Sequence, residues 1–173
     1  KITLIRPPCI VSVGSVSGGL LTPPIALAYL AGSIRNSGHE VCIIDAIGLD
    51  PEKRTYLENK LYLVGISFSK ILNSIPEDTD LIGFSGMFSS EWTALRPLVN
   101  MIGEKFRGKY FIAGGEHFTS VPEICLEQCK DLDAIALGEG EETIVEIANA
   151  IDSNSSWLKI TGLVVRDNDK FVK

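Results

Sequence analysis

The feature that most constrains the fold is alternation. Five short, apolar, β-prone runs (Lys1 to Ile5, Val41 to Asp45, Leu81 to Ser85, Tyr110 to Ala113 and Ala134 to Leu137) are separated by segments of helical length. Strands this short and this apolar are buried on both faces, and a helix between each pair returns the chain to the same edge. The pattern predicts an α/β protein with a doubly wound parallel five-stranded sheet, whose ligand site lies at the carboxyl ends of the strands. At 173 residues the chain fits one such domain with a sizeable core.

Local signals place the helices. Pro23 and Pro24 suit a first helical turn; Ile25, Leu27, Ala28, Leu30, Ala31 and Ile34 continue it, and Gly38 stops it. Glu91 to Phe106, Pro122 to Cys129 and Glu141 to Ile151 are the later crossovers, and Pro51 to Asn59 reads as a short polar helix. Residues 61–75 break the alternation and are expected to form an insertion whose Leu, Val and Phe side chains are poorly covered. Cys9 to Thr22, rich in Gly, Ser and Val, reads as a loop. Ile160 to Val165, a turn at Asp167 to Asp169, then Phe171 and Val172 read as a hairpin. Residues 1–152 are thus the α/β domain and 153–173 a connector.

Bulk properties exclude several classes. A net charge of -6 offers no basic stripe to neutralise phosphates, so no nucleic-acid partner is expected. Leu20 to Ala31 is split by Pro23 and Pro24 and falls short of the roughly 20 residues a membrane span needs. Cys9, Cys42, Cys125 and Cys129 form neither a disulfide framework nor a four-ligand zinc pattern, so a reducing cytoplasm is the expected setting. The chain opens on Lys1 without Met or a signal segment and is expected to be an excised or processed piece.

Small or unusual residues follow the strands: Pro7 and Pro8, Ser85 and Gly86, Gly114 and Gly115, Gly138 and Gly140. Any one of these glycines can be a turn residue, but four such loops along one edge let backbone approach a bulky flat ligand. Gly138 to Thr143 matches a dinucleotide fingerprint only in part, and its three carboxylates repel a pyrophosphate. His117 is either a ligand-edge imidazole or a hydrogen-bonded loop residue, His39 a structural one. Cys125 and Cys129 read as core thiols, and Asp45 as a cap on its following loop. No catalytic set and no metal-ligand set is identified, so the chain reads as a binder.

Pro7-Pro8, the helix opening Pro23 to Ala31, Gly38-His39-Glu40-Val41, Asp45, Ile82 to Ser85, Ala113 to Thr119, Pro122-Glu123, Leu137 to Thr143 and Ile160 to Arg166, in that order, resemble the cobalamin-binding domain of class B radical S-adenosylmethionine enzymes. The resemblance covers nearly the whole chain and rests on the ordered set. It implies a flavodoxin-like, Rossmann-like fold with a corrin ring across the strand ends and a nucleotide tail between the first and third strands. Pro8, Ser85, Gly86, Gly114, Gly115, Glu116, His117, Gly138, Glu139 and Gly140 would contact the cofactor.

It further implies a catalytic barrel carboxyl-terminal to the connector, and the poorly covered side chains of residues 61–75 are expected to pack on it. That barrel would hold a [4Fe-4S] cluster and S-adenosylmethionine, in a methyltransferase or related iron-sulfur oxidoreductase. The Cys-x-x-x-Cys-x-x-Cys cluster motif is absent from these residues, so the piece is expected to be non-catalytic alone. The Asp-x-His-x-x-Gly motif is absent too, which leaves the lower face of cobalt without a predicted histidine. Two rivals stand: a degenerate cobalamin domain serving as a substrate-binding or interaction module, and a flavin binder using Ser12, Ser15 and Ser17.

Overall fold

The computed structural model describes residues 1–14, 22–167 and 170–173. The strands are β1 (Ile2–Arg6), β2 (Cys9–Ser12), β3 (Val41–Asp45), β4 (Arg54–Leu57), β5 (Leu61–Val64), β6 (Leu81–Ser85), β7 (Tyr110–Gly114), β8 (Ala134–Ala136), β9 (Leu163–Asp167) and β10 (Lys170–Val172). The helices are α1 (Ile25–Asn36), α2 (Phe68–Ser74), α3 (Trp92–Lys105), α4 (Glu116–Ser120), α5 (Pro122–Gln128) and α6 (Glu141–Asp152).

The main sheet has the order β10-β9-β8-β7-β6-β1-β3 and is parallel from β3 to β8. Its five parallel strands follow the flavodoxin-like order 2-1-3-4-5, as expected. The order reverses between β1 and β6, where Ile5 pairs with Phe84. Period-2 alternation sorts the strand side chains. Ile2, Leu4, Leu81, Ile112 and Ala134 face α1 and α6, while Ile5, Ile82, Phe84, Phe111 and Ile135 join the larger core with α3 and α5. Each buried Leu or Ile contributes about 1.5–3 kcal/mol.

Helix α1 buries Leu27, Ala31 and Ile34, one stripe at helical spacing. It ends as predicted: Gly38 takes a left-handed backbone (φ 88°) and the His39 amide donates to the Ile34 carbonyl at 3.1 Å. His39 is structural, its Nε2 3.0 Å from Asn149 Oδ1 on α6.

The structure corrects the middle of the chain. Pro51 to Asn59, read as a polar helix, instead contains β4, which pairs antiparallel with β5. Thr55 and Tyr56 favour a strand, and Asn59 and Lys60 both adopt left-handed backbone (φ 59° and 60°) to close the hairpin. Strand β2, read as loop, completes a second sheet of order β2-β5-β4. Residues 61–75 are not poorly covered: Leu63, Val64, Ile66, Ile71 and Ile75 are buried and Phe68 half-buried. Helix α2 here lies on the crossover from β3 to β6.

The predicted hairpin is β9 and β10. It starts later than Ile160 because Trp157–Lys159 forms a 3-10 turn, and it extends the main sheet because β9 pairs antiparallel with β8. Asn168 and Asp169 of the predicted turn lie outside the described residues, as do residues 15–21 of the predicted loop, including Ser15 and Ser17.

Arg166 ties this hairpin to the domain. Its Nη2 donates to the carbonyls of Leu126, Cys129 (3.1 Å) and Leu132 (3.4 Å) at the end of α5, and its guanidinium lies over the Phe171 ring. A cation there satisfies carbonyls that the helix leaves unpaired and complements its dipole. Arg166→Met should lower unfolding free energy by about 2 kcal/mol in urea denaturation, given charge-assisted bonds of this kind. A loss below about 0.5 kcal/mol would show that the bonds contribute only what water replaces.

Candidate cofactor-binding site

Two openings lie side by side at the carboxyl edge. The narrower, about 130 Å³, sits on the sheet face covered by α1 and α6. Its floor is Leu4, Gly83, Ile112, Gly114 and Ala136, and its walls are Ala26, Leu27 and Leu30 of α1 with Gly138, Glu139, Gly140, Glu141 and Ile144. Strands normally carry bulky residues at such positions, so Gly83, Gly114 and Ala136 on three adjacent strands leave the slot. The wider, about 510 Å³, lies beyond the β1/β6 reversal among Arg6, Pro7, Cys9, Pro23, Ile25, Met87, Phe88 and Glu91. Ser85 lines both.

The sequence-named residues divide. Ser85, Gly114, Gly115, Gly138, Glu139 and Gly140 come together on the narrow cleft. Pro8 is buried and its neighbour Pro7 faces the wide cleft instead. Gly86, Glu116 and His117 line neither.

The glycines differ in what they do. Gly115 has φ 112°, and a Cβ there would lie 2.5 Å from the Gly86 carbonyl oxygen. A Cβ on Gly86 would lie 2.5 Å from the Phe118 ring. With Gly86 N–H donating to the Gly114 carbonyl (2.9 Å), these two glycines lock the loops after β6 and β7 together. Gly114 and Gly138 face open space instead: a Cβ on Gly114 makes only ordinary contacts with Ala136 at 3.6 Å, and one on Gly138 meets nothing within 4 Å.

His117 is 7% exposed. It is the second residue of α4, a helix not foreseen from sequence, whose turn draws the ring inward. Nδ1 lies 2.9 Å from Ser89 Oγ and Nε2 3.3 Å from Cys125 Sγ, so both nitrogens are engaged within the protein. Burial holds its pKa below the ordinary imidazole value and pushes the Cys125 thiol up to about 11. Cys129 is buried too, as expected for a core thiol. No group of His, Cys, Asp and Glu among the described residues is arranged to hold a metal ion.

The wide cleft is apolar at its rim: Ile25, Met87 and Phe88 are 61%, 52% and 63% exposed. Such a patch marks a surface that something covers. Arg6 at its base donates to the Thr22 carbonyl (2.7 Å) and pairs with Asp45 (3.5 Å). Asp45 also caps its loop through the Ile47 amide (3.2 Å), as predicted. Burial raises the pKa of Glu91, whose carboxylate accepts from the Phe88 amide.

Sequence reading missed Leu4, Leu27, Leu30, Gly83 and Ala136. A glycine inside a strand was the available signal, since it marks close approach of another group. No helix among the described residues is long and apolar enough to cross a membrane.

Comparison with known proteins places these features. The uncharacterized methyltransferase PH0819 from Pyrococcus horikoshii is 31% identical over 172 residues, 98% of this chain and 33% of its own length. Cytidylyl-2-hydroxyethylphosphonate methyltransferase from Streptomyces wedmorensis is 28% identical over 86% of this chain and 28% of its own length. The radical S-adenosylmethionine methyltransferase TsrM from Kitasatospora setae, solved with cobalamin and a [4Fe-4S] cluster bound, superposes with a TM-score of 0.73 at 17% identity. The match covers 99% of this chain and 30% of TsrM. The chain therefore spans about a third of the length of these relatives. The B12 binding domain family matches residues 11–148, most of the chain and both walls of the narrow cleft, and favours the cobalamin reading over the flavin one. This chain belongs to the B12 binding domain family.

Proposed function

We propose that the paired clefts seat cobalamin for a radical S-adenosylmethionine methyltransferase of which this chain is one part. The observation that carries the reading is a slot floored by strand glycines and joined through Ser85 to a wide apolar opening. That shape suits a ligand with a broad flat ring and a narrower tail. Ser85, Gly114, Gly115, Gly138, Glu139 and Gly140 would hold it in the slot, with Pro7, Met87 and Phe88 lining the wide cleft for the ring. The carboxylates of Glu139 and Glu141 at the slot's outer end accept hydrogen bonds from the cofactor's amide groups. Gly86 and His117 support the loops from behind.

When bound, the cofactor supplies a cobalt centre able to carry a methyl group or tune a radical step. The chain's own part is to bind, orient and exclude water. Neither histidine would be free to hold the cofactor's metal, since His117 is engaged within the protein and His39 is held by Asn149. The cluster and S-adenosylmethionine belong to a barrel reached through residues 153–173, and methyl transfer to an unreactive carbon is the reaction. Similarity to methyltransferases and the chain's one-third share of their length support this. Four free cysteines and a net charge of -6 fit a cytoplasmic setting without a nucleic-acid partner.

Titration of the purified chain with hydroxocobalamin should give saturable binding with a spectral change. Gly114→Val fills the slot with a side chain that a strand accepts, so it should weaken binding at least tenfold with the urea midpoint unchanged. Equal binding by both proteins, or none by the wild type, would overturn the reading.

A further inference from the structure

We infer that the narrow cleft makes the chain selective among corrinoids by their lower base, admitting a benzimidazole and disfavouring a purine. The inference rests on the cofactor reading above. Leu4, Leu27, Ile112 and Ile144 in this cleft are 2–5% exposed, and with Leu30 and Gly83 they give it a mostly apolar lining. The backbone groups of β6 and β7 beneath them are bonded in the parallel ladder. Its polar side chains are few: Ser85, which also lines the wide cleft, Glu139, which is exposed, and Glu141, which is half-exposed.

A cavity of this size and lining takes a flat apolar ring; an engineered one of about 150 Å³ lined by Leu, Ile and Phe stays dry and binds benzene. A dimethylbenzimidazole presents methyl groups to such a lining. An adenine presents an amino group and ring nitrogens, which exchange water for hydrocarbon without a partner. Unpaired buried polar groups of this kind weaken binding about tenfold or more.

The test compares three ligands on the purified chain: cobalamin, the analogue with adenine as lower base, and cobinamide, which lacks the base. Cobalamin should bind at least tenfold more tightly than either of the others. Leu30→Gln adds a donor and an acceptor to the slot wall and should narrow the cobalamin-to-adenine gap at least threefold. Binding of the adenine analogue within threefold of cobalamin overturns the selectivity and leaves the cofactor reading standing. Equal binding of cobinamide shows that no base enters the cleft and overturns it also. Binding of none of the three overturns the cofactor reading and this inference together.

Discussion

Gly115→Ala should cost about 3 kcal/mol or more of unfolding free energy, while Gly138→Ala, in the neighbouring loop, should cost about 1 kcal/mol. Both glycines have positive φ, 112° and 65°, but only one is crowded. At Gly138 the added methyl enters open space and the cost is that of left-handed backbone for an L residue. At Gly115 the backbone (φ 112°, ψ 177°) is one that only glycine adopts readily, and the methyl would press on a backbone oxygen of Gly86 at 2.5 Å. Neither partner is a flexible side-chain end, so the two loops must separate. With typical domain stability of about 5–15 kcal/mol, that is a large share. Urea denaturation of both variants decides it, and a Gly115→Ala loss no larger than that of Gly138→Ala would mean the loops are not locked. A bulky residue at Gly115 therefore tests folding before it tests binding, which is why Gly114 is the position for a blocking side chain.

The same contrast shows what sequence could reveal. The alternating apolar runs gave all five parallel strands, because a strand buried on both faces leaves an unbroken apolar signature. Helix α1 was legible at both ends because Pro23-Pro24 and Gly38 act locally. Strand β4 was not: Arg54 to Tyr56 are exposed, so no burial pattern marks them, and pairing with β5 overrides a weak helical preference. Strand β2 was hidden for a related reason, since its partner is 50 residues away in sequence. At the candidate site, the clustered glycines do share one sheet edge, but clustering could not separate Gly115, which holds two loops together, from Gly114, which faces the cleft. The slot's floor was invisible because Leu4 and Ile112 look like any core residue until α1 and α6 are placed over them.

His117→Ala should be the second most damaging change, with an expected loss of about 3 kcal/mol at pH 7. It removes a ring in contact with Trp92 and Phe118 (centroids 5.6 and 5.3 Å) and strands Ser89 and Cys125 without their partner. His117→Gln, which keeps a donor and an acceptor, should recover part of that loss. The pH dependence separates this role from mere packing. Burial lowers the folded-state pKa of His117, so below about pH 6.5 the unfolded chain takes up a proton that the folded chain refuses. Stability therefore falls as pH drops through the unfolded value, by at most about 1.4 kcal/mol per pH unit for one proton, and levels off below the folded one. The buried carboxyls of Glu91 and Asp133 have raised pKa values and act in the opposite sense as pH falls, since the folded chain protonates them first. Subtracting the His117→Gln profile from that of the wild type isolates the imidazole. A difference that stays flat between pH 7 and 5 would place His117 in a site that accommodates the charged ring. A falling one makes His117 a neutral strut between Cys125 and Ser89, and Ser89 belongs to the segment that carries Met87, Phe88 and Glu91 along the wide cleft. Protonation then loosens that wall, and cofactor affinity should decline with stability over the same pH range.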